Sequence, residues 1–373
     1  MKKKLLLVTA AAMLLVACGG NNSSTDYLAE PETKATVEKK DAAKNLNTLS
    51  ANVAKTNAFG VSVVADLSAD IETGMKATKN NGLEKDMVNK YSFSAKDFKS
   101  EDAFTGLGTD SMAASGSVSG KLAVNVEGTS AEYDENLSAS YKDVKRNAEA
   151  SLDEKYYFEG GLAYFDFTNA VENFAKALAP EQASEMPKIA GKFKTTIPEQ
   201  IYTTISSVPT LLSGFTASIS AELTASGVGD IVASLGGGES ASWTAALSFK
   251  SYTNGDYGMT GDIDVSKLLP AVGGDMEAVA GVQLGGITGS LKIVAIYSEN
   301  AFKSIGAKFS LKSDVPADEE MGAYSKVNIE GGFKVTFAYG DEVKVTKLSD
   351  ADKAAYSSMS VPQEEGGDES DAE

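Results

Sequence analysis

The chain has 373 residues, of which 34 are basic and 52 acidic, giving a formal net charge of −18. So acidic a chain lacks the lysine and arginine surface that binds nucleic-acid phosphates, and its charge also opposes electrostatic adhesion to anionic lipid. The absence of histidine excludes Ser-His-Asp and Cys-His catalysis and the usual zinc sites, so we expect neither a metal nor a non-covalent cofactor.

The first residues predict a secretion signal, which we assign to residues 1–17. Three lysines, Lys2 to Lys4, precede an apolar run from Leu5 to Val16. A basic segment followed by a short apolar segment and small residues is typical of a signal peptide. The run has too few residues to cross a bilayer, because a membrane-spanning helix needs about 20 apolar residues.

The four residues Leu15, Val16, Ala17 and Cys18 resemble the lipobox of bacterial lipoproteins. The resemblance implies that processing enzymes join a diacylglyceryl group to the Cys18 thiol, cut the chain before Cys18 and often acylate the new amino terminus. Cys18 is the one cysteine of the chain, which favours this interpretation over an ordinary signal peptide with a chance cysteine or an uncleaved anchor. We therefore expect a membrane-anchored protein that does not span the bilayer, because two acyl chains give stable attachment.

The residues after Cys18 bear on the compartment. Gly19 and Gly20 follow it, and the Asp that retains enterobacterial lipoproteins in the inner membrane is absent. We expect a location in the bacterial cell envelope, facing the periplasm or the cell exterior, and the sequence permits the outer membrane.

Residues 18–33 are rich in Gly, Asn and Ser and then become acidic, which predicts a flexible tether. Residues 34–167 predict a helix followed by antiparallel strands. In the strands, apolar and polar residues alternate, and Gly160 and Gly161 predict the turn of a hairpin. The helix has an apolar stripe at spacings of four and three residues, formed by Ala42, Leu46, Leu49 and Val53.

Residues 168–213 predict a helical insert between two sets of strands. Thr168 offers an N-cap, Pro198 suits the first turn of a second helix, and Pro209 should kink or split that helix. Each helix has one apolar face, formed by Val171, Phe174 and Leu178 in the first and by Ile201, Ile205 and Leu212 in the second.

Residues 214–348 predict a second set of antiparallel strands, starting with the alternating run from Phe215 to Leu223. Because the run from Phe59 to Leu67 also follows a helix, we consider a tandem duplication. In the last segment, residues 349–373, Ser349 caps a brief helix, and the acidic tail from Gln363 to Glu373 should be disordered.

Carboxylates are the remaining candidates for chemistry. Asp262 and Asp264 match only the first part of a calcium loop, and their alternation with Ile263 favours a strand. A hydrolase that uses carboxylates alone needs two convergent acids, and the sequence identifies no such pair. The aromatic residues between Tyr156 and Phe167 are either a sugar or lipid platform or, more often in hairpins, cross-strand core pairs. We therefore predict no catalytic residues.

The expected fold class is α+β, a large curved antiparallel β-sheet, half-barrel-like, with helices packed on one face. A helix, meandering strands and a C-terminal strand pair resemble the LolA and LppX/LprG-like lipoprotein group. That resemblance implies an apolar cavity that holds acyl chains. It also implies that the six apolar residues of the helical insert form a lid.

Three functions remain open from the sequence. The first is a non-catalytic surface lipoprotein whose acidic, β-rich ectodomain binds or presents something. The second is a carrier of lipid or another hydrophobic ligand, and the third is a hydrolase that uses carboxylates. The first two differ in whether the inward strand face is filled by side chains or left open.

Overall fold

The computed structural model describes residues 26–109, 111–133, 139–178, 190–224, 246–265, 287–317, 319 and 322–358. The signal peptide, the lipobox, the first half of the tether and the acidic tail lie outside these residues. Within the described ranges, no helix combines the length and the apolarity that a membrane crossing requires.

The described strands form one sheet of 13 strands. They are β1 (Thr33–Thr36), β2 (Ala58–Met75), β3 (Met87–Thr105), β4 (Ala113–Tyr133), β5 (Ala139–Glu159), β6 (Leu162–Phe167), β7 (Gly191–Thr196), β8 (Leu247–Tyr252), β9 (Tyr257–Asp264), β10 (Thr288–Tyr297), β11 (Phe302–Val315), β12 (Ala323–Tyr339) and β13 (Ser357–Ser358). Their order in the sheet is β1-β8-β9-β10-β11-β12-β2-β3-β4-β5-β6-β7-β13. Neighbours are antiparallel except β7 and β13, which run parallel.

The two predicted sets of strands belong to the same sheet. Strand β12 pairs with β2 along its whole length, from Ala323 opposite Met75 to Tyr339 opposite Phe59. The predicted hairpin is also confirmed, since β5 and β6 are joined by Gly160 and Gly161, which both have positive φ angles. The large antiparallel sheet is therefore confirmed, whereas the helices are a smaller part of the fold than the α+β class implies.

The described helices are α1 (Lys39–Val53), α2 (Ala170–Leu178), α3 (Glu199–Thr224) and α4 (Asp350–Lys353). The predicted apolar stripe of α1 is confirmed, because all four of its residues are buried. Ser349 caps α4 as predicted, since its hydroxyl accepts a hydrogen bond from the Asp352 amide at 3.1 Å.

The long strands have one apolar face and one polar face, because successive side chains point to opposite sides of a strand. We call the first the helix face, since α1 and α3 pack on it. Helix α1 and Ile219 of α3 form a buried cluster with strands β8 to β11, including Phe249, Met259 and Phe302. The first turns of α3 pack on a second cluster over β4, β5 and β6.

Helix α3 corrects the prediction for residues 215–223, which form a helix and not a strand. The helix also runs through Pro209, which is buried and does not split it. Small and apolar residues alternate here, but Thr216 and Ser220 are fully buried against α1, and the Ser220 hydroxyl donates to the Ala43 carbonyl at 2.7 Å. This contact between helices decides the local structure, and the proposed tandem duplication is wrong because residues 59–67 lie in β2.

The second face of the sheet, which we call the opposite face, is crossed by segments from both ends of the described chain. Near β11 and β12, Tyr27 is buried, and its hydroxyl donates to the Asp66 carboxylate. The C-terminal strap, residues 340–358, leaves β12 and pairs with β7 through β13. Along its course, the Thr346 amide donates to the Ser115 hydroxyl at 2.9 Å, and Tyr356 packs on Tyr164.

Candidate functional site

The helix face carries a partly exposed apolar surface beyond the ends of the helices, which we call the apolar strip. Cross-strand pairing aligns one row of it over five adjacent strands, as Leu311, Ile329, Ala69, Phe93 and Val124. With spacings of about 4.8 Å between strands, this row spans about 19 Å. The complete strip consists of Leu67, Ala69, Ile71, Tyr91, Phe93, Leu122, Val124, Val126, Phe309, Leu311 and Ile329.

The strip differs in burial from the other end of the same face. Under the helices, Phe59, Ala114 and Phe158 are buried, whereas the strip residues are partly exposed and Tyr91 is 42% exposed. Ala95 and Val327, which lie among the strip residues on the same face, are buried. None of the strip residues belongs to the two clusters that α1 and α3 form with the described strands. A contiguous set of apolar side chains that stays accessible is typical of a binding surface.

The opposite face of the same strands is polar. Lys90 of β3 pairs with Glu72 of β2 at 3.7 Å, and Lys145 of β5 pairs with Glu127 of β4. These exposed ion pairs contribute little stability, with a typical value of about 0.5 kcal/mol each. In the strands of the strip, the large apolar side chains therefore lie mainly on the helix face.

A polar cluster lies between the strip and the helix-covered end of this face. The Asp102 carboxylate accepts hydrogen bonds from the Ser100 hydroxyl at 2.6 Å and from the Tyr156 hydroxyl at 2.7 Å. Gly116 lies between Asp102 and Tyr156, and a Cβ at this position would collide with both side chains. Glycine is therefore required here for Asp102 and Tyr156 to meet across β4.

Burial shifts the acidity of both members of this pair. Desolvation raises the pKa of Asp102 above its usual value, and its two hydrogen bonds oppose that shift. Desolvation and the neighbouring Asp102 charge raise the pKa of Tyr156. The arrangement is a hydrogen-bonded carboxyl that takes up a proton more readily than an exposed aspartate does.

Another carboxylate on the helix face has a structural contact. Glu154 accepts hydrogen bonds from the Thr168 amide at 2.7 Å and from its hydroxyl at 2.6 Å. Thr168 was predicted as an N-cap, and its hydroxyl accepts a hydrogen bond from the Ala170 amide at 3.4 Å at the start of α2. Glu154 thereby ties the loop before α2 to β5.

The predicted lid residues lie on α2 and α3. Ile201 and Ile205 pack against the cluster over β4, β5 and β6, and Leu212 packs against the α1 cluster. Phe174 of α2 is partly buried. Val171 and Leu178 lie in the same helix, but their side chains are outside the described set, as are Cys18 and the lipobox residues Leu15, Val16 and Ala17.

Tyr156, Phe158 and Phe165 of the β5–β6 hairpin form part of the core on the helix face, whereas Tyr157 and Tyr164 lie on the opposite face. The ring centroids of Tyr156 and Phe158 are 5.2 Å apart, and Phe158 meets Phe165 of the next strand at 6.4 Å. Phe165 and Phe167 stack at 5.3 Å. These contacts match the interpretation as core pairs.

A groove of about 500 Å³ lies on the opposite face, between the C-terminal strap and the sheet. Its walls include Glu101 and Lys155 from the strands and Glu342 and Lys344 from the strap. The volume is in the range of small-molecule sites, but charges of both signs on its walls favour a small polar ligand over a lipid.

Asp262 and Asp264 lie in strand β9, as their alternation with Ile263 predicts. Asp262 pairs with Lys292 of β10 at 3.4 Å. Among the described residues, no three Asp, Glu, His or Cys side chains are grouped so that they would hold a metal ion.

Sequence reasoning missed the Asp102 cluster and the position of the apolar strip. The signal for Asp102 was weak, because Ser100 and Asp102 are two polar residues between Phe98 and Phe104 on one face of a strand that a bulge interrupts. Its contact with Tyr156 depends on the pairing of β3, β4 and β5, which the sequence alone does not give.

No family model and no curated protein matches the chain. Among solved structures, it is similar to the outer membrane protein OprG from Pseudomonas aeruginosa, at 10% identity and a TM-score of 0.13, over 76% of this chain and 96% of OprG. It is also similar to a FadL homologue from Pseudomonas aeruginosa, at 7% identity and a TM-score of 0.15, over 82% of this chain and 99% of the homologue. Similarities this low support no conclusion about fold or function.

Proposed function

We propose that the protein is a non-catalytic, lipid-anchored protein of the bacterial envelope that holds a lipid or another hydrophobic ligand on the apolar strip. The observation that supports this function is the contrast along one face of the sheet. The same face is buried beneath α1 and α3 and accessible over the strip. In water, such a surface gains free energy when an apolar molecule covers it.

The size of the strip sets the strength of this interaction. The strip has three residues on β2 and on β4, two on β3 and on β11, and one on β12. Its outline of about 13 Å along the strands and about 19 Å across them encloses at most about 250 Å² of protein. An equal area of ligand brings the total to about 500 Å², which corresponds to roughly 12 kcal/mol before the entropy of association is subtracted. The cost of association is about 4 to 15 kcal/mol, so this area gives an upper bound on the affinity for an acyl chain.

The anchor in this proposal is the diacylglyceryl group on Cys18, with the body facing the periplasm or the cell exterior. The lipobox residues Leu15, Val16 and Ala17 support it, together with the lack of any other cysteine. The membrane and the lipoprotein-processing enzymes are then partners of the chain, and the lipid or other hydrophobic ligand is its cargo.

A pair of neighbouring substitutions on β4 tests the strip. Val124 lies in the strip, and Asn125 is exposed on the opposite face, so that V124K and N125K add the same charge to the two sides of one strand. The unlipidated chain beginning at Gly19 is titrated with a fluorescent fatty acid. We expect V124K to weaken binding about ten-fold or more, because covering a lysine ammonium with apolar ligand is costly.

The N125K variant should bind the fatty acid as the unchanged chain does, and circular dichroism checks that both variants fold. Equal binding by V124K and N125K would contradict ligand binding on the strip. Absence of saturable binding by the unchanged chain would instead favour a surface protein that presents its ectodomain without a stored ligand.

A further inference from the structure

The opposite face of the sheet carries a group of lysines beside the point where the N-terminal segment reaches the sheet. They lie in two neighbouring rows that run across strands β10, β11, β12, β3 and β4. Five are exposed, and Lys334 is partly buried. We call this group the lysine band: Lys96, Lys99, Lys121, Lys292, Lys308 and Lys334.

The pairing within the band is unfavourable for the isolated protein. Lys292 lies directly opposite Lys308, and Lys96 lies directly opposite Lys121. Like charges at directly opposed positions destabilise a sheet. Lys292 is compensated by Asp262, but the described residues provide no carboxylate partner for Lys96, Lys99, Lys121 or Lys308.

Within the rows of the band, between β10 and β4, lie two carboxylates, Asp66 and Asp97. Asp66 is buried, and it accepts hydrogen bonds from Tyr27 and from the Asp97 amide at 2.9 Å. Asp97 is the exposed carboxylate at the bulge of β3. Glu101 of β3 and Glu330 of β12 occupy the adjoining rows of the same face, and Asp153 of β5 lies across Ser119 from Lys99. Between β10 and β4, the six lysines exceed the two carboxylates of their own rows, and this local excess of positive charge suits an anionic partner.

The N-terminal segment docks in the middle of the same area. The Lys308 ammonium lies over the Tyr27 ring, 5.9 Å from its centroid. Side chains at Gly306 and Gly332 would collide with Tyr27, so these two glycines make room for it. The chain is therefore held to the sheet at Tyr27, well before β1.

The docking of Tyr27 limits how far the sheet is from Cys18. Eight residues lie between the two positions, and the nine steps from one Cα to the next span only about 32 Å even in a fully extended chain. If the first attachment were at Thr33, the limit would be about 50 Å. A lipid on Cys18 therefore keeps the opposite face, and the lysine band with it, near the membrane surface.

We propose that the lysine band binds the anionic headgroups of the membrane in which Cys18 is anchored, so that the opposite face lies toward the bilayer and the helix face away from it. This proposal rests on the lipid anchor of the proposed function. It also refines the expectation from net charge. The chain is acidic as a whole, but the lysine band lies near the N-terminal segment that leads to Cys18. The attraction is local and adds orientation to an attachment that the acyl chains provide.

Amine footprinting of the full lipidated chain tests the proposal. The protein is reconstituted in phosphatidylglycerol vesicles and in phosphatidylcholine vesicles, and it is labelled with a membrane-impermeant amine reagent. We expect Lys96, Lys99 and Lys121 to react about five-fold more slowly on the anionic vesicles, the preference typical of a lysine at an anionic surface. Salt at about 1 M should remove the difference, since it shortens the screening length to about 3 Å.

Lys40, Lys44 and Lys55, exposed on and just after α1 on the other side of the sheet, are the internal control and should react equally on both vesicles. Equal reactivity of both groups on anionic vesicles, or protection of the α1 group instead, would overturn the proposal.

Two triple variants distinguish binding by the lysine band from an effect of the total charge of the protein. K96Q/K99Q/K121Q should abolish the protection of Lys308, whereas K40Q/K44Q/K55Q, with the same loss of charge, should preserve it. Retained protection of Lys308 in the first variant would also overturn the proposal. The intact mass of the protein gives a separate readout of the anchor, because an unmodified Cys18 would refute the anchored function itself and this orientation with it.

Discussion

At the scale of single residues, the Asp102 cluster is the clearest departure from an apolar face. Its carboxylate is enclosed between β2, β4 and β5, where Ser100 and Tyr156 donate hydrogen bonds to it. These two bonds reduce the cost of placing a polar group there, but desolvation still favours the neutral acid. The cluster positions Tyr156 against the hairpin core, which is a structural role.

The raised pKa of Asp102 predicts how stability depends on pH. Because the folded-state pKa exceeds the usual value of 3.8, the folded protein binds the Asp102 proton more tightly than the unfolded chain does. Ionisation of Asp102 therefore lowers the free energy of unfolding as the pH rises from 3.8 through the higher pKa of the folded state. Below pH 3.8 this loss is absent. Relative to D102N, which carries no charge at any pH, the unchanged protein should gain free energy of unfolding as the pH falls.

Urea denaturation of the two proteins at neutral and mildly acidic pH measures this difference. D153N is the matched control, because Asp153 is exposed on the opposite face of β5 and lies outside the Asp102 cluster. A difference between D102N and the unchanged protein that does not vary with pH would contradict the effect of burial on Asp102.

At the scale of secondary-structure elements, periodicity predicted those segments whose pattern fits only one structure. The stripe of α1 repeats at spacings of four and three residues, and β4 alternates strictly from Val118 to Val126. The run from Phe215 to Leu223 is different, because its alternating small and apolar residues suit a strand locally. Burial of Thr216 and Ser220 against α1 favours the helix, and that contact lies between residues far apart in the sequence.

Two aliphatic positions on α3 test its orientation. Ile219 is 2% exposed within the α1 cluster, whereas Leu211 is 67% exposed. We expect I219A to lower the free energy of unfolding by about 3 kcal/mol, since it removes buried contacts and leaves a cavity. L211A should change it by less than about 0.5 kcal/mol. Thermal or urea denaturation compares them, and similar losses for both would contradict the buried face assigned to α3.

At the scale of the whole molecule, the pairing of β12 with β2 unites the first and last halves of the chain. This pairing aligns Ile329 of β12 with Ala69 of β2, and it makes the apolar strip continuous from β11 to β4. The sequence predicted amphipathic strands on both sides of the helical insert, but not their order in the sheet. Strand order and register depend on contacts between distant segments, so the strip and the lysine band could not be predicted from periodicity.

A disulfide trap tests this junction in the unlipidated chain, which has no other cysteine. Thr336 of β12 lies directly opposite Ser62 of β2, so that T336C and S62C should form a disulfide under mild oxidation. Glu101 lies opposite Ser62 on the far side, which places it two strands, or about 10 Å, from Thr336. T336C with E101C should therefore remain reduced, and the reverse result would refute the strand order.

The most direct test of the central claim is to identify which molecule is bound to the protein when it is purified. The chain is purified without its anchor from a host with a native envelope, extracted with organic solvent, and the extract is analysed by mass spectrometry. We predict a lipid or another hydrophobic molecule in stoichiometric amount, and its loss in V124K but not in N125K. A clean extract, followed by no saturable binding in a lipid titration, would contradict a ligand on the apolar strip.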